Sequence, residues 1–204
     1  MTPATSSSQG TPGYGCPMSE SLRHYHRATF GLNAVVMRVD PTRWDEPSKC
    51  DEWTCREVLG HVIWLTRSLA AHLGVGEALP ETPEAEVAGA DPAAAWDAAF
   101  SSALSALDRP GVLQREIPGP FGPMTTDDRI RIAALDCYTH TWDIAAALGM
   151  DPALDPHVAE KLLPGLREAG PGLRAPGLLG PAIDIDAEAG AVDQLLAFSG
   201  RDPR

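Results

Sequence analysis

Residues 125–149, TTDDRIRIAALDCYTHTWDIAAALG, form the longest stretch of the chain that has the pattern of a single helix. Thr125 or Thr126 is its candidate N-cap, because a hydroxyl can accept hydrogen bonds from the free amides of a first turn. Two aspartates follow, where negative charge favours the positive end of the helix dipole. We expect the helix to run to Leu148 and to end at Gly149, since glycine readily adopts the left-handed conformation of a C-terminal cap.

Similar signals predict three more principal helices. Apolar residues recur at helical spacing over about residues 19–39. Residues 54–57 (TCRE) form a capping box for a second helix that should end at Gly74. Residues 91–92 (DP) supply an N-cap and a first-turn proline for the third. Four principal helices with long connections predict an all-α protein built as a four-helix bundle.

The remaining segments are shorter or less regular. We expect residues 75–90 to form an acidic loop and residues 109–124 to form a small hairpin or an irregular loop. A fifth helix should start near Pro156 and be interrupted at Pro164. The last predictions are a short extended piece at residues 183–185 and a final helical turn at about 190–198. These pieces are short C-terminal additions to the bundle.

Composition limits the organisation and the partners of the chain. Residues 1–18 are rich in Ser, Thr, Pro and Gly and are predicted to be disordered, whereas residues 19–204 have the length of one domain. Lys and Arg number 16 against 28 Asp and Glu, a net charge of −12, which disfavours binding to nucleic acid or to an anionic membrane. No signal peptide, membrane span or disulfide scaffold is evident. We therefore expect a cytoplasmic protein.

Three residues are candidate metal ligands. Asp136 and His140 lie four residues apart in one helix, so their side chains share a face. His61 follows Val58 by three residues on the inner side of the second helix. Two histidines and one carboxylate suit Zn²⁺, Fe²⁺, Ni²⁺ or Mn²⁺ and leave coordination positions open. Spacing alone leaves another interpretation, in which Asp136 and His140 form a surface ion pair and His61 is a core residue with satisfied hydrogen bonds.

Four further residues are candidates for the surroundings of such a site. Asp143 lies seven residues after Asp136, and it either orients a ligand or a neighbouring arginine, or is a surface acid at the end of the helix. Trp142 is either a core residue or a pocket wall. Tyr25 and His26 lie on the first helix. Either both line the cavity, or Tyr25 packs into the core and His26 packs on the surface.

Three strings of sequence carry a resemblance to a known family. They are residues 44–54 (WDEPSKCDEWT) followed by residues 58–61 (VLGH), residues 140–145 (HTWDIA) followed by Gly149, and residues 193–203 (DQLLAFSGRDP). In combination they resemble the DinB-like superfamily, and more closely the mycothiol-dependent maleylpyruvate isomerase N-terminal family of actinobacteria. The resemblance covers about residues 20–203. Arg201 in the last string is expected to pair with an acid and hold the C-terminus in place.

The resemblance implies a site and a cofactor. Members of the family bind one divalent metal through a histidine on the second helix and a Glu-x-x-x-His on a later helix, which correspond to His61, Asp136 and His140. Zn²⁺ is the first expectation, with Ni²⁺ or Fe²⁺ as alternatives. Asp136 stands where the family usually has Glu, and one methylene fewer shortens its reach by about 1.5 Å. Either the helices approach more closely, or Asp136 binds through water, or the site is weakened.

The resemblance also implies an activity. It points to a transferase or isomerase that uses mycothiol as a co-substrate and acts on a small electrophilic molecule, and to a homodimer. Two alternatives remain at this stage. One is a metal- or ligand-binding module without turnover, and the other is a biosynthetic tailoring enzyme that uses the bundle cavity.

Overall fold

The computed structural model of the protein describes residues 18–174 and 179–204. The disorder predicted for residues 1–18 therefore falls almost entirely outside the described residues. The elements of the described residues, in chain order, are α1 (Glu20–Val36), α2 (Cys55–His72), α3 (Glu84–Ala88), α4 (Pro92–Leu107), β1 (Glu116–Gly119), β2 (Gly122–Thr125), α5 (Thr126–Ala147), α6 (Pro156–Arg174) and α7 (Ala191–Phe198).

Helices α1, α2, α4 and α5 form the predicted four-helix bundle. Helix α1 packs on α5, α5 on α2, α2 on α4, and α4 on α1, so that the four helices form a closed ring around one core. Their inward faces supply large buried side chains to this core; the examples with essentially no exposure are Leu32, Leu59, Trp96 and Ile130. The all-α class and the bundle are therefore confirmed. Helices α6 and α7 pack against each other, and α6 also contacts α1.

The helix starts follow from local hydrogen bonds. The predicted capping box is present, because the Thr54 hydroxyl accepts from the amide of Glu57 and the Glu57 carboxylate accepts from the amide of Thr54 at 2.8 Å. Of the two candidates for the cap of α5, Thr125 is the N-cap, and its hydroxyl accepts from the amide of Asp128 at 3.1 Å. These caps fix where the helices that carry the candidate ligands begin.

The segment before α5 is a hairpin, one of the two predicted alternatives. Strands β1 and β2 pair antiparallel, with Glu116 opposite Thr125 and Gly119 opposite Gly122. Strand β2 passes directly into the N-cap of α5. Among the described helices, none has the length and apolarity needed to cross a bilayer.

Two predictions about the shorter segments were wrong. Helix α6 is not interrupted at Pro164 and contains Pro171 as well. The Pro164 ring leaves the carbonyl of Glu160 without its helical donor, but both residues are exposed, so water can satisfy that group. The predicted acidic loop at 75–90 contains the helix α3. The short extended piece predicted at residues 183–185 is not paired in a sheet, and its Ile183 amide donates to the carbonyl of Ala197 at 2.9 Å.

Candidate metal centre

The packing of α2 on α5 brings the three candidate ligands together. His61 projects from α2, next to Val58 and Val62, which are buried in the core. Asp136 and His140 project from one face of α5 toward it. His140 is nearly enclosed, with 8% of its side chain exposed, while His61 and Asp136 are 29% and 23% exposed. The cluster is thus buried on the α5 side and accessible between the two helices.

The distances within this cluster match those around a single metal ion. The Asp136 Oδ1 atom lies 3.6 Å from His61 Nε2 and 3.5 Å from His140 Nε2, and all three donor atoms lie within 4.8 Å of one another. Bonds of about 2.0–2.1 Å to a tetrahedral ion place neighbouring donors roughly 3.3–3.4 Å apart. Two nitrogens and one carboxylate oxygen are the donor set expected for zinc or another divalent transition metal. The residues present therefore fit such an ion.

The electrostatics of the cluster favour ionised groups. Burial disfavours the charged form of Asp136, but the neighbouring His140 and His61 outweigh burial and hold its pKa below the ordinary value. Burial likewise disfavours a charged His140, but the carboxylates of Asp136 and Asp143 raise its pKa to about 9. Without a metal, a proton on His140 neutralises part of the negative charge that a cation would otherwise neutralise.

Asp143 orients His140 from the opposite side of the ring. Its Oδ2 atom lies 2.8 Å from His140 Nδ1, so the Nδ1–H can donate to the carboxylate and turn Nε2 toward the other two donors, where its lone pair would be available to a metal ion once the Nε2 proton is lost. Arg201 donates to both oxygens of Asp143, from Nε at 2.9 Å and from Nη2 at 2.6 Å. The Asp143 side chain is fully buried, which excludes the surface-acid interpretation. Arg201 thereby ties the C-terminal segment to α5.

The loop that precedes α2 covers the C-terminal end of α5, which carries His140 and Asp143. The Lys49 amide donates to the backbone carbonyl of Asp143 at 3.2 Å, and the Trp53 ring lies 5.2 Å from the His61 ring. The loop also brings Cys50 close enough to form a second cluster with His140 and Asp143. Arg201 already occupies both oxygens of Asp143, so this second cluster disfavours a cation.

The other predicted site residues lie in different surroundings. Tyr25 is fully buried on α1. His26 is half-buried, and its ring neighbours Tyr25 and Phe30. Trp142 is half-buried on α5, and within the described residues no hydrogen bond or ring contact joins His26 or Trp142 to the three donors.

Sequence reasoning missed three neighbours of the cluster. Cys50 and Trp53 lie within the quoted motif 44–54, and that position next to the His61 motif was a usable signal. Arg129 is a buried arginine on α5, and its spacing of seven residues from Asp136 would have placed it on the same face.

A groove elsewhere in the fold does not include the cluster. It has a volume of about 660 Å³ and is lined by residues of α1, α5, α6 and the hairpin tip, including Leu135 and Leu166. None of the three donors lines it. The candidate centre is therefore the opening between α2 and α5.

The fold and the cluster together define a helical bundle with a candidate metal site of two histidines and one carboxylate. Residues 25–145 match the family described as the mycothiol maleylpyruvate isomerase N-terminal domain. This match spans more than half of the chain and contains all three candidate ligands, so the chain belongs to that family. The predicted family is thus confirmed.

The chain is also similar to curated relatives and, in its fold, to solved structures. Two uncharacterized proteins of Mycobacterium tuberculosis, from strains CDC 1551 / Oshkosh and ATCC 25618 / H37Rv, are each 31% identical over 91% of this chain and 100% of their own length. Crystal structures of the mycothiol-dependent maleylpyruvate isomerase and of a histidine-to-alanine mutant of that enzyme share the fold with a TM-score of 0.55 at 16% and 15% identity. Each match covers 71% of this chain and 66% of the isomerase chain.

Proposed function

We propose that this protein is a divalent-metal-dependent enzyme that uses a thiol to transfer or isomerise a small electrophilic molecule. The observation that carries the proposal is the convergence of His61 Nε2, Asp136 Oδ1 and His140 Nε2, which come from two helices. The family description supports mycothiol as the thiol. Zn²⁺ is the metal that we propose first, with Ni²⁺ or Fe²⁺ as alternatives. A cytoplasmic location and a homodimer belong to the same proposal and rest on the family resemblance.

Direct ligation by Asp136 is the form of the site that the distances support. The shorter side chain could have required a bridging water, but its Oδ1 atom already lies 3.5–3.6 Å from both imidazole nitrogens. We infer that a close approach of α2 and α5 would compensate for the missing methylene. The sequence left three alternatives for Asp136, namely closer helices, a bridging water or a weakened site. We propose the closer helices.

The protein residues would contribute orientation, charge and access. A bound divalent metal would supply Lewis acidity that favours the anionic form of a thiol. Asp143 holds His140 in one tautomer and ring orientation, and Asp136 supplies one negative charge. His61 lies on the more exposed side of the cluster, so a thiol or an electrophile can approach there. Trp53 beside His61 provides an apolar wall at that opening.

Metal content of the purified protein tests the first half of the proposal. The wild type, expressed without a histidine tag, should contain about one transition-metal ion per chain by elemental mass spectrometry. His61→Ala and His140→Ala should lose it, and Asp136→Asn should bind it more weakly, because the isosteric amide lacks the charge. His157→Ala is the matched control, since His157 is exposed on α6. A wild type that remains metal-free after soaking with Zn²⁺, Ni²⁺ or Fe²⁺ would contradict the proposal.

Catalytic turnover tests the second half of the proposal, which is the thiol-dependent reaction. The metal-loaded protein should consume small electrophiles only when mycothiol is present, and chelation or His140→Ala should abolish that activity. Stoichiometric metal without any mycothiol-dependent reaction across such a panel would reduce the proposal to a metal-binding module.

A further inference from the structure

The groove between α5 and α6 is a cavity that the packing of the helices leaves open. Helix α6 packs on α7 and contacts α1, but its direct contact with α5 is marginal at most. The start of α6 is tied to α5 by the Tyr138 hydroxyl, which donates to the carbonyl of Asp155 at 3.1 Å. A volume of about 660 Å³ remains between the two helices, which is within the range of small-molecule sites.

The walls of this groove are mainly apolar. Helix α5 supplies Ile132 and Leu135, and α6 supplies Leu162 and Leu166. Phe121, at the tip of the hairpin, also lines the groove, and 57% of its surface is exposed. A ligand with an apolar body would remove this surface from water, which favours binding.

His24 on α1 is a buried polar side chain that lines the same groove. Only 7% of its surface is exposed. Within residues 18–174 and 179–204 its ring forms no hydrogen bond, because the Glu20 carboxylate lies 3.9 Å from Nε2. Lys161 also holds Glu20, with its Nζ atom 3.2 Å from Oε1. Buried polar side chains nearly always have a partner, so the unpartnered imidazole points to a ligand.

The charges around the groove favour an uncharged ligand. Burial lowers the pKa of His24, so its ring is neutral at pH 7 and offers one donor and one acceptor. The charged residues of the lining are two acids and two bases, namely Glu20, Asp128, Arg131 and Lys161. Both bases already pair with acids, Lys161 with Glu20 and Arg131 with Asp127 and Asp128. The lining therefore has no net charge that would attract an ion.

We propose that the groove between α5 and α6 binds a small, uncharged molecule that has an apolar body and one hydroxyl group. The apolar body would lie against the leucines of α5 and α6, and the hydroxyl would form a hydrogen bond with the His24 ring. None of the three candidate metal ligands lines the groove. Binding there needs neither metal nor thiol, so it is independent of the proposed function.

Displacement of a fluorescent dye from the full-length protein tests the site. The dye is diphenylhexatriene, which is apolar and has no hydrogen-bonding group. 1-Octanol should displace it in a saturable way at one site per chain. Octanoate and octylammonium have the same chain length and should displace it more weakly, because a charged group would lose hydration without gaining a counter-charge. 1-Heptanol and 1-hexanol should bind about fourfold more weakly for each methylene removed.

Two glycine substitutions locate the binding. Gly165 lies on α6 in the lining, and a Cβ atom there would meet no other atom within 4 Å. Gly165→Trp should therefore fill the groove without a clash and weaken octanol binding about tenfold or more, equivalent to losing two methylenes of burial. Gly31→Trp on α1 is the matched control, since its Cβ also meets open space but lies outside the groove, and it should leave binding unchanged.

A third substitution assigns the hydroxyl to His24. His24→Phe keeps an aromatic ring and removes both nitrogens, so it should weaken octanol binding about threefold to tenfold, the value of one hydrogen bond. The affinity for diphenylhexatriene should stay the same, because this dye has no group that could bond to the imidazole. Thermal unfolding confirms that each variant is folded. Should Gly165→Trp not fold, Ala169→Trp replaces it, because Ala169 is an exposed position of the same lining.

The proposal fails if octanol does not displace the dye, or if octanoate or octylammonium binds more tightly than octanol. Equal octanol affinities in the two tryptophan variants would place binding elsewhere, and an unchanged affinity in His24→Phe would remove the imidazole from the site. Octanol binding that appears only after deletion of residues 1–17 would assign the groove to that segment instead. His61→Ala should lose metal but bind octanol as the wild type does; loss of octanol binding in this variant would place the ligand at the metal centre.

Discussion

The two halves of α5 differ in whether their buried charged side chains are paired with an opposite charge. In the C-terminal half, Asp143 accepts from His140 and from two nitrogens of Arg201, so its buried charge is fully compensated. In the N-terminal half, Arg129 is almost as deeply buried, and no acidic oxygen of the described residues lies within 4.0 Å of its nitrogens, although the Asp136 carboxylate acts on it from farther along α5. The same helix therefore contains one charge that is satisfied by the fold and one that is not.

This difference determines which of the two charged residues holds its neighbours in position. A compensated buried group fixes its neighbours, and Asp143 thereby fixes the ring of His140 and the C-terminal segment at once. Arg129 has no such partner among the described residues. We expect the removal of Asp143 from the C-terminal half of α5 to destabilise the protein, and neutral substitutions of Arg129 in the N-terminal half to stabilise it.

The largest effect should come from Asp143→Ala. The substitution leaves the buried Arg201 guanidinium without its carboxylate and His140 without its orienting acceptor, so the free energy of unfolding should fall by about 3–5 kcal/mol. Urea unfolding monitored by circular dichroism measures this change. Asp202→Ala is the matched control, because Asp202 pairs with Arg204 on the exposed C-terminus, and it should leave the unfolding curve unchanged. A loss below about 1 kcal/mol in Asp143→Ala, the size expected of an exposed pair, would show that the pairing is not structural.

A smaller effect is expected at the glycine before His61. A Cβ atom at Gly60 would lie 1.9 Å from the backbone oxygen of Glu84 in α3, and a backbone oxygen cannot move aside cheaply. Gly60→Ala should therefore cost about 1–3 kcal/mol, as overpacking does, and weaken metal binding by shifting His61. Gly31→Ala on α1 meets no atom within 4 Å and should instead stabilise the protein by about 0.5–1 kcal/mol. Equal unfolding midpoints for the two variants would show that α3 does not pack tightly on α2.

The last prediction concerns how stability and metal binding depend on pH. In the metal-free protein the pKa of His140 is raised from 6.5 to about 9 by Asp136 and Asp143, against the effect of burial. Because the folded pKa is the higher one, the resulting stabilisation is complete below about pH 6.5 and is lost as the pH rises through about 9. Metal binding at about pH 7.5 should accordingly release about one proton from His140.

Calorimetry in buffers of different ionisation enthalpy measures that proton. A second titration at about pH 10, where His140 is already neutral, should show no release from this residue. Release of no proton at the lower pH would mean that His140 is neutral in the free protein.

Much of the fold could be predicted from the sequence, because its signals act over a few residues. The capping box at residues 54–57 and the cap at Thr125 are contacts within one turn. Helix α6 shows where such reasoning failed, since Pro164 lowers helix propensity locally but the packing of α6 on α7 and α1 keeps the helix continuous. Local propensity of a few kcal/mol is readily overridden by tertiary packing.

For the candidate site, the sequence by itself determined which side chains share a face of α5. Helical periodicity alone places Arg129, Asp136, His140 and Asp143 along one side, because residues at spacings of three, four and seven coincide on a helix. Only the tertiary structure decided that α2 brings His61 opposite Asp136 and that Arg201 reaches Asp143 across 58 residues of chain. The rotation and axial register of one helix against another depend on the packing of the whole core, and no spacing within a single segment encodes them.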